Sequence, residues 1–345
     1  MQGTTSEAII CTVVAARDRA LEENGPSDDH DYKSKLVVYG SDETHSTFKK
    51  ACKLVGIRPS NIRLIPTTAK SNFALSPSDL RKAIEADVAA GLVPLYLCVT
   101  VGTTSTTAVD PVEQLVHVAE DYGMWVHVDA AYAGSACICP EFRHYLDGVE
   151  RVDSLSLAPH KWLLCYLDCC CLWVKWPSSL VKSLSTSPEY LNNKRSESNS
   201  VVDYKDWQIG TGRRFRSLRL WLVLTSHGVQ NLQSHIRSDV GLARTFEDLV
   251  RSDPRFEIFV PVNFGLVCFG LRGSESKRTQ ALNKELLEQV NSTGRVYMTH
   301  TIAGGVYMLR FAVGSTLTQE HHVVAAWKVI KEKAETVLAN KEPNL

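Results

Sequence analysis

The sequence predicts an α/β protein in which a large domain with a mainly parallel sheet is followed by a smaller α+β domain. Through the first half of the chain, short apolar runs alternate with longer helical patterns, which is typical of βαβ units. The chain has 345 residues, 44% of them hydrophobic, and a chain of this size and composition can bury more than one core.

The elements of the large domain follow this alternation in order. A helix is predicted at residues 8–21, after the hydroxyl-bearing residues 4–6 that favour a helix start. Strands are predicted at 36–39, 62–65, 95–101, 125–128, 154–157 and 170–174, and helices at 44–55, 77–90 and 112–122. Because residue 1 lies almost at a helix start, we expect an N-terminal segment of the natural protein to be missing from this sequence.

The second half of the chain contains a polar stretch and then the elements of the small domain. Residues 183–203 are rich in Ser, Asn, Glu, Lys and Arg without an apolar period, which predicts a mobile loop. Helices are predicted at 216–228, 232–250 and 279–290, strands at 256–260 and 266–271, and hairpin strands at 296–300 and 306–313. A final helix presents Val323, Trp327, Ile330, Ala334 and Val337 on one face. We therefore place the large domain at residues 1–220 and the small domain at 221–345.

Charge and composition exclude several classes of partner. Lys and Arg together number 38, as do Asp and Glu, so the overall charge attracts neither a nucleic acid nor an anionic membrane. No apolar run approaches the roughly 20 residues that a membrane span needs. The ten cysteines show no CxxC spacing and are interpreted as reduced, mostly buried thiols of a cytoplasmic protein, with no metal site. A small-molecule partner fits this composition best.

Two segments that follow predicted strands carry the clearest chemistry. In residues 126–134, VHVDAAYAG, an apolar strand ends at Asp129 and small residues follow, so a flat ligand can lie against the chain. Such an aspartate can keep a pyridine nitrogen protonated, although Asp129 taken alone is more often an ordinary strand-end residue that caps the next turn. In residues 156–162, SLAPHKW, Lys161 can be a partly desolvated Schiff-base nucleophile or simply a solvated lysine. Together, the two segments indicate a pyridoxal phosphate site.

Two helix starts supply further candidates for the same site. His45 follows a strand end in residues 40–46, GSDETHS, and is placed to stack on the cofactor ring, or is incidental to a helix cap. Thr5 and Ser6 begin the first helix, where hydroxyls and backbone N–H groups suit a phosphate, or again form only a cap.

The ordered motifs resemble those of the group II pyridoxal-phosphate decarboxylases, in the aromatic amino acid branch. They are residues 41–46, 127–134, 159–162 and 203–209, and the stretches 147–157, 291–302 and 320–322 are similar to plant members in particular. The resemblance extends over essentially the whole chain. It implies an aspartate-aminotransferase-like fold of type I, a homodimer with shared active sites, pyridoxal 5'-phosphate as cofactor, and an aromatic L-amino acid as substrate for a carboxy-lyase reaction.

The resemblance also implies a role for each matching residue. The implied cofactor contacts are Lys161 (covalent attachment), Asp129 (ring nitrogen), His45 and Ala131 (the two ring faces), Thr104 (the 3′-oxygen side), and Thr5 and Ser6 (phosphate). His160 is implied to help position the substrate.

Two positions narrow the expected reaction. Tyr190, in the predicted loop, matches the family's proton donor to Cα, whereas relatives with Phe there are aromatic aldehyde synthases. Gly212 matches a position at which tryptophan enzymes carry Gly, and tyrosine or DOPA enzymes tend to carry Ser. A glycine leaves room for indole, although it can also be a turn glycine. The expected reaction is therefore conversion of L-tryptophan to tryptamine and CO₂.

Some positions depart from the family pattern. Ala158 stands where relatives generally have Ser or Asn near the phosphate, Gly270 where Arg is usual, and Val262 before Asn263 is also unusual. Two alternatives therefore accompany the main hypothesis. One is a tyrosine/DOPA decarboxylase or aldehyde synthase of the same family. The other is a catalytically impaired fragment or pseudoenzyme, which folds only partly or pairs with a full-length partner.

Overall fold

The structure is a computed structural model that describes residues 1–24, 30–186, 201–273 and 276–339. The chain divides into two compact units. The first contains Met1–Pro66, Leu75–Gly102 and Val109–Gly228, and the second contains Thr67–Ala74, Thr103–Ala108 and Val229–Leu345. The domain limits drawn from the sequence stay a prediction beside this division. Among the described residues, no helix combines the length and the apolar character required to cross a membrane.

A mainly parallel sheet forms the centre of the first unit, as the sequence predicts. Its strands are β1 (Leu36–Ser41), β2 (Ile62–Ile65), β3 (Val93–Thr100), β4 (Trp125–Asp129), β5 (Ser154–Leu157) and β6 (Cys171–Val174). They lie in the order β2-β1-β3-β4-β5-β6, and only β6 runs antiparallel to its neighbour. Every residue of β1 and β4 is buried, as expected for strands covered on both faces.

The first unit contains the helices α1 (Thr5–Asn24), α2 (His30–Lys35), α3 (Thr47–Leu54), α4 (Pro77–Ala89), α5 (Val112–Glu120), α6 (Pro159–Trp162) and α7 (Pro177–Leu184). The longer ones pack apolar residues on this sheet. Ile9 and Val13 of α1 share one core with Phe48 of α3 and with Tyr96 and Trp125 of the strands. This packing fixes the start of α1 beside the sheet.

The helix that follows, α8 (Arg216–Arg251), spans the two helices predicted at 216–228 and 232–250. Gly228 interrupts it with a φ of 70° and a ψ of 162°, a conformation in which glycine has no Cβ to clash. The prediction of two helical segments is therefore correct, and the break falls at the glycine.

The second unit has an antiparallel sheet of β7 (Phe256–Ile258), β8 (Leu266–Leu271), β9 (Thr299–Ala303) and β10 (Val306–Ala312), in the order β7-β8-β10-β9. The helices α9 (Lys277–Ser292) and α10 (Glu320–Ala339) pack with it around Phe246, Phe269 and Trp327. The predicted hairpin strand at 296–300 is displaced to Thr299–Ala303. Gly304 and Gly305 both adopt positive φ and form a tight turn, so the strand continues directly up to them.

Candidate cofactor and active site

Asp129 lies at the carboxyl end of β4, at the middle of the parallel sheet. It is in register with Thr100 of β3 on one side and Ser156 of β5 on the other. Its carbonyl accepts the N–H of Val101, and the next N–H, that of Ala130, donates to the carbonyl of Ser156. The Asp129 side chain is therefore fixed at the edge of the sheet where α/β proteins bind ligands.

The carboxylate of Asp129 is buried. The residue is 5% exposed, and its Oδ1 accepts the Ala131 N–H at 3.0 Å. Burial raises its pKa, while the charges of Lys161 and His45 and the Ala131 N–H act in the opposite direction. The fold therefore brings Asp129, Lys161 and His45 together, as the sequence predicts, around an acid that favours a cationic ligand.

Lys161 occupies the single-turn helix α6, directly after β5. Its N–H donates to the carbonyl of Ala158, and the N–H of Ala158 donates to the carbonyl of Ala131. In the same two segments, the rings of Tyr132 and Trp162 stack with centroids 4.7 Å apart. These contacts join the segment that carries Lys161 to the one that carries Asp129.

His160, beside Lys161, is half-buried and is held by the backbone of one residue. Its Nδ1 lies 2.6 Å from the carbonyl oxygen of Cys169 and 3.1 Å from the backbone nitrogen of the same residue. The carbonyl can only accept a hydrogen bond, so the shorter contact requires a proton on Nδ1.

The start of α1 lies beside the start of α3. The hydroxyls of Ser6 and Thr47 are 2.6 Å apart, and the Thr47 N–H donates to His45 Nδ1 at 3.2 Å. Thr5 is buried, with its Oγ1 3.7 Å from the Cys170 thiol. The helix start that carries Thr5 and Ser6 is thus linked through Thr47 to His45, and a helix N-terminus is suited to a phosphate.

Close packing explains the glycines of this region. Gly102 has a φ of 84°, and a Cβ there would lie 2.5 Å from the Cβ of Ala133. A Cβ at Gly134 would lie 2.9 Å from that of Ala130. The segment after Asp129 therefore packs too closely for larger residues, which keeps Ala131 and its neighbours in a fixed position.

Three predicted site residues remain, namely Thr104, Gly212 and Tyr190. Thr104 lies in the second unit, where its carbonyl accepts a hydrogen bond from Arg310 Nη2 at 2.6 Å. Among the residues that the structure describes, nothing lies within 4 Å of a Cβ placed at Gly212, and its φ is not positive, so backbone geometry does not require glycine there. Tyr190 lies outside the described residues, as does most of the predicted loop at 183–203.

Two polar clusters next to the site were not predicted from the sequence. His127 is fully buried, with Nδ1 2.9 Å from Ser154 Oγ and Nε2 3.1 Å from Ser156 Oγ. Asp168 is paired with Arg216 and Arg219. Alternation of His127 with Asp129 along one strand signals the first cluster, whereas the second joins residues too distant in sequence for any local pattern.

The donor set fits one kind of cofactor. A lysine amine, a buried carboxylate, an imidazole and a helix N-terminus with hydroxyls match a flat, cationic aldehyde that carries a phosphate. These features define an α/β protein that attaches a carbonyl cofactor to a lysine.

The chain belongs to the pyridoxal-dependent decarboxylase family. Residues 1–272 match the pyridoxal-dependent decarboxylase conserved domain. A tryptophan decarboxylase of Camptotheca acuminata is 69% identical over 343 residues, which cover 99% of this chain and 68% of that protein. The cofactor is pyridoxal phosphate, the enzyme class is that of the carboxy-lyases, and the predicted α/β fold of type I is confirmed.

Solved structures agree with this assignment. Oryza sativa TDC with PLP and tryptamine superposes with a TM-score of 0.94 at 56% identity, over 97% of this chain and 69% of that one. Catharanthus roseus tryptophan decarboxylase in complex with L-tryptophan gives 0.89 at 62% identity, over 97% and 68% of the two chains. The chain thus spans about two thirds of the length of these relatives.

Proposed function

We propose that this protein decarboxylates L-tryptophan to tryptamine and CO₂. The observation that carries the proposal is the placement of Asp129, with its raised pKa, beside Lys161 and His45 at the carboxyl edge of the sheet. The similarity to proteins named for tryptophan decarboxylation supports this choice of substrate.

Seven residues would hold the cofactor in this proposal. They are Lys161 through its Nζ, Asp129 at the ring nitrogen, His45 and Ala131 on the two ring faces, Thr104 on the 3′-oxygen side, and Thr5 and Ser6 at the phosphate. When bound, pyridoxal phosphate supplies an electron sink for the pair that is released as CO₂ leaves Cα.

The chain's own groups have four tasks in the reaction. Asp129 holds a proton on the ring nitrogen, and its burial strengthens that interaction because little water screens it. Lys161 would hold the cofactor through its Nζ, and His160 would orient the substrate. Tyr190 returns a proton to Cα, which favours the amine product over an aldehyde.

Gly212 supports the choice of tryptophan. No described atom lies within 4 Å of its Cβ position, the residue is exposed, and its backbone conformation needs no glycine, so the described part of the chain leaves space there for a larger group. An indole uses this space, whereas a serine hydroxyl would offer a hydrogen-bond partner to a phenol.

The active form is proposed to be a homodimer. Leu218, Trp221 and Leu222 lie on one face of α8 and are 43%, 59% and 47% exposed. A cluster of large apolar side chains on a helix surface is typical of a subunit interface. We also propose that the protein is cytoplasmic, because all ten cysteines are thiols and nine are buried.

A substrate comparison tests the proposed reaction. The full chain with pyridoxal phosphate is given L-tryptophan, L-tyrosine and L-DOPA separately, and CO₂, amine, aldehyde and peroxide are measured. We expect tryptamine without aldehyde. Tyramine or dopamine as the main product would contradict the assignment of Gly212, and stoichiometric peroxide would contradict that of Tyr190.

Three variants make this experiment sharper. Lys161→Ala should abolish both the cofactor-dependent absorbance band and the activity. Gly212→Ser, which the open space accommodates, should shift preference towards tyrosine and DOPA without loss of folding. Tyr190→Phe should produce aldehyde and peroxide in place of amine. A wild-type chain that binds no cofactor would contradict the catalytic proposal altogether.

A further inference from the structure

Asp168 forms the centre of an ion cluster in the turn between α6 and β6. Arg216 Nη2 lies 2.7 Å from its Oδ2, and Arg219 Nη2 lies 3.1 Å from its Oδ1. The two guanidinium groups hold the pKa of Asp168 well below its usual range. Asp168 is therefore negatively charged, and Arg216 and Arg219 are positively charged, at any physiological pH.

Arg219 also holds the backbone of this turn. Its Nη1 donates to the carbonyl of Leu167 at 3.1 Å, and its Nη2 donates to the carbonyl of Asp168 at 3.0 Å. A guanidinium has donors in a fixed plane, so contacts to two carbonyls and a carboxylate fix the orientation of the turn. Lysine has no equivalent geometry.

The next residue in the turn is Cys169, whose backbone holds His160. A neutral imidazole carries its proton on one nitrogen only, so Nδ1 either donates to the Cys169 carbonyl or accepts from the Cys169 N–H. The carbonyl contact of 2.6 Å is the shorter by 0.5 Å (3.1 less 2.6), and a bare nitrogen would be repelled by an oxygen at that distance. The geometry therefore selects the Nδ1–H form.

We propose that Arg216, Asp168 and Arg219 are positioning residues that keep His160 in its Nδ1–H tautomer. In the part of the chain that the structure describes, Nε2 of His160 makes no hydrogen bond, so this tautomer leaves a lone pair on Nε2 of the residue that precedes Lys161. His160 then accepts a hydrogen bond, or takes up a proton, at Nε2. This inference rests on the proposed function only for the catalytic role of His160. The tautomer of His160 is a property of the chain itself.

The tautomer is measurable directly. The full chain is labelled with ¹⁵N in its histidine rings, the His160 signals are assigned with a His160→Gln variant, and spectra are recorded at a pH where the ring is neutral. We expect a protonated Nδ1 and an unprotonated Nε2 in wild type. Arg219→Ala should give a mixture of the two tautomers and lower kcat by up to about a hundredfold, as a displaced catalytic group does.

Matched variants separate positioning from general destabilisation. Arg63→Ala removes another partly buried arginine, which is paired with Asp87, and should leave the His160 signals and kcat unchanged. Asp168→Asn keeps the side-chain shape but loses the charge, so it should shift the tautomer in the same direction as Arg219→Ala.

A protonated Nε2 in wild type, an unchanged Nδ1–H signal in Arg219→Ala, or an equal change in Arg63→Ala would each overturn the inference. If wild type decarboxylates none of the three amino acids but its tautomer responds as expected, the proposed function fails and the positioning inference stands.

Discussion

Asp129 and Asp110 are both buried acids of the first unit, and they differ in what satisfies them. Asp110 accepts backbone N–H groups with both oxygens, from Leu75 at 2.7 Å and from Thr100 at 2.8 Å. Burial nevertheless raises the pKa of Asp110 to about 6, because it outweighs these two hydrogen bonds. Asp129 has one such N–H, from Ala131, and burial raises its pKa while interaction with Lys161 and His45 acts to lower it. The first acid is structural, and the second is available to a ligand.

This difference predicts opposite effects of the same substitution. A pKa raised by folding means that the stability from the group is present at low pH and is lost as pH rises through the folded pKa. In the cofactor-free chain at neutral pH, Asp129→Asn should therefore raise the melting temperature, while decarboxylation falls by on the order of a hundredfold or more. Thermal unfolding and a CO₂ assay measure the two effects.

Asp110→Asn is the matched control. An amide cannot accept two N–H groups with two oxygens, so the variant should lose about 1–3 kcal/mol of stability although it also removes a buried charge. A lower melting temperature in both variants would contradict a ligand-directed role for Asp129.

His127 is a buried base in the same sheet, and it makes the stability of the fold sensitive to acid. Both ring nitrogens lie within hydrogen-bond distance of serine hydroxyls of β5, and the ring stacks on Tyr96 with centroids 6.2 Å apart. Burial lowers the pKa of His127 from 6.5 to about 3. The folded protein thus excludes a proton that the unfolded chain binds, so stability is lost as pH falls from 6.5 towards 3.

His127→Gln should weaken this acid sensitivity. Glutamine can replace a hydrogen bond to one serine but cannot be protonated, so the variant should be less stable at neutral pH and yet lose stability less steeply below pH 6.5. The expected change in slope is about 1.4 kcal/mol per pH unit, from denaturant unfolding at several pH values. The exposed His321→Gln should keep the wild-type slope, and an unaltered slope in His127→Gln would contradict the assignment.

At the scale of secondary-structure elements, the local sequence pattern predicts most strands of the mainly parallel sheet. The predicted bounds of β2 and β5 coincide with those observed, because apolar runs between turn residues mark buried strands clearly. The predicted bounds of β9 differ from those observed because its residues are largely polar and exposed, so they show no apolar period. The sequences of the short helices α2 and α7 show no clear apolar period, so these helices were not predicted.

Contacts between residues that are far apart in the chain could not be predicted from the sequence. The segments 67–74 and 103–108 belong to the second unit because of contacts with residues far along the chain, such as Arg310 on Thr104. The Asp168 cluster likewise joins residues 48 positions apart. Asp129 and Lys161 were predictable because each follows a strand, and the carboxyl ends of parallel strands meet at one edge.

At the scale of the whole molecule, the charge balance leaves apolar surface as the main basis for association. The formal net charge is zero, so long-range attraction or repulsion between copies is weak. Three tryptophans of the described residues are more than half exposed: Trp173 on β6, Trp176 just after it, and Trp221 on α8. Of these three, Trp221 lies within a helical cluster of apolar side chains, together with Leu218 and Leu222.

A charged substitution in this cluster should separate the subunits. Trp221→Glu places a carboxylate in the proposed interface, where burial without a partner costs several kcal/mol, so the variant should sediment as a monomer where wild type is a dimer. Trp173→Glu is the control, since Trp173 is 52% exposed in the same unit but lies outside the cluster, and it should remain dimeric. If the two variants sediment alike, α8 does not form the interface. If Trp221→Glu is monomeric and inactive while its melting temperature stays near that of wild type, the shared active sites proposed for the dimer are supported.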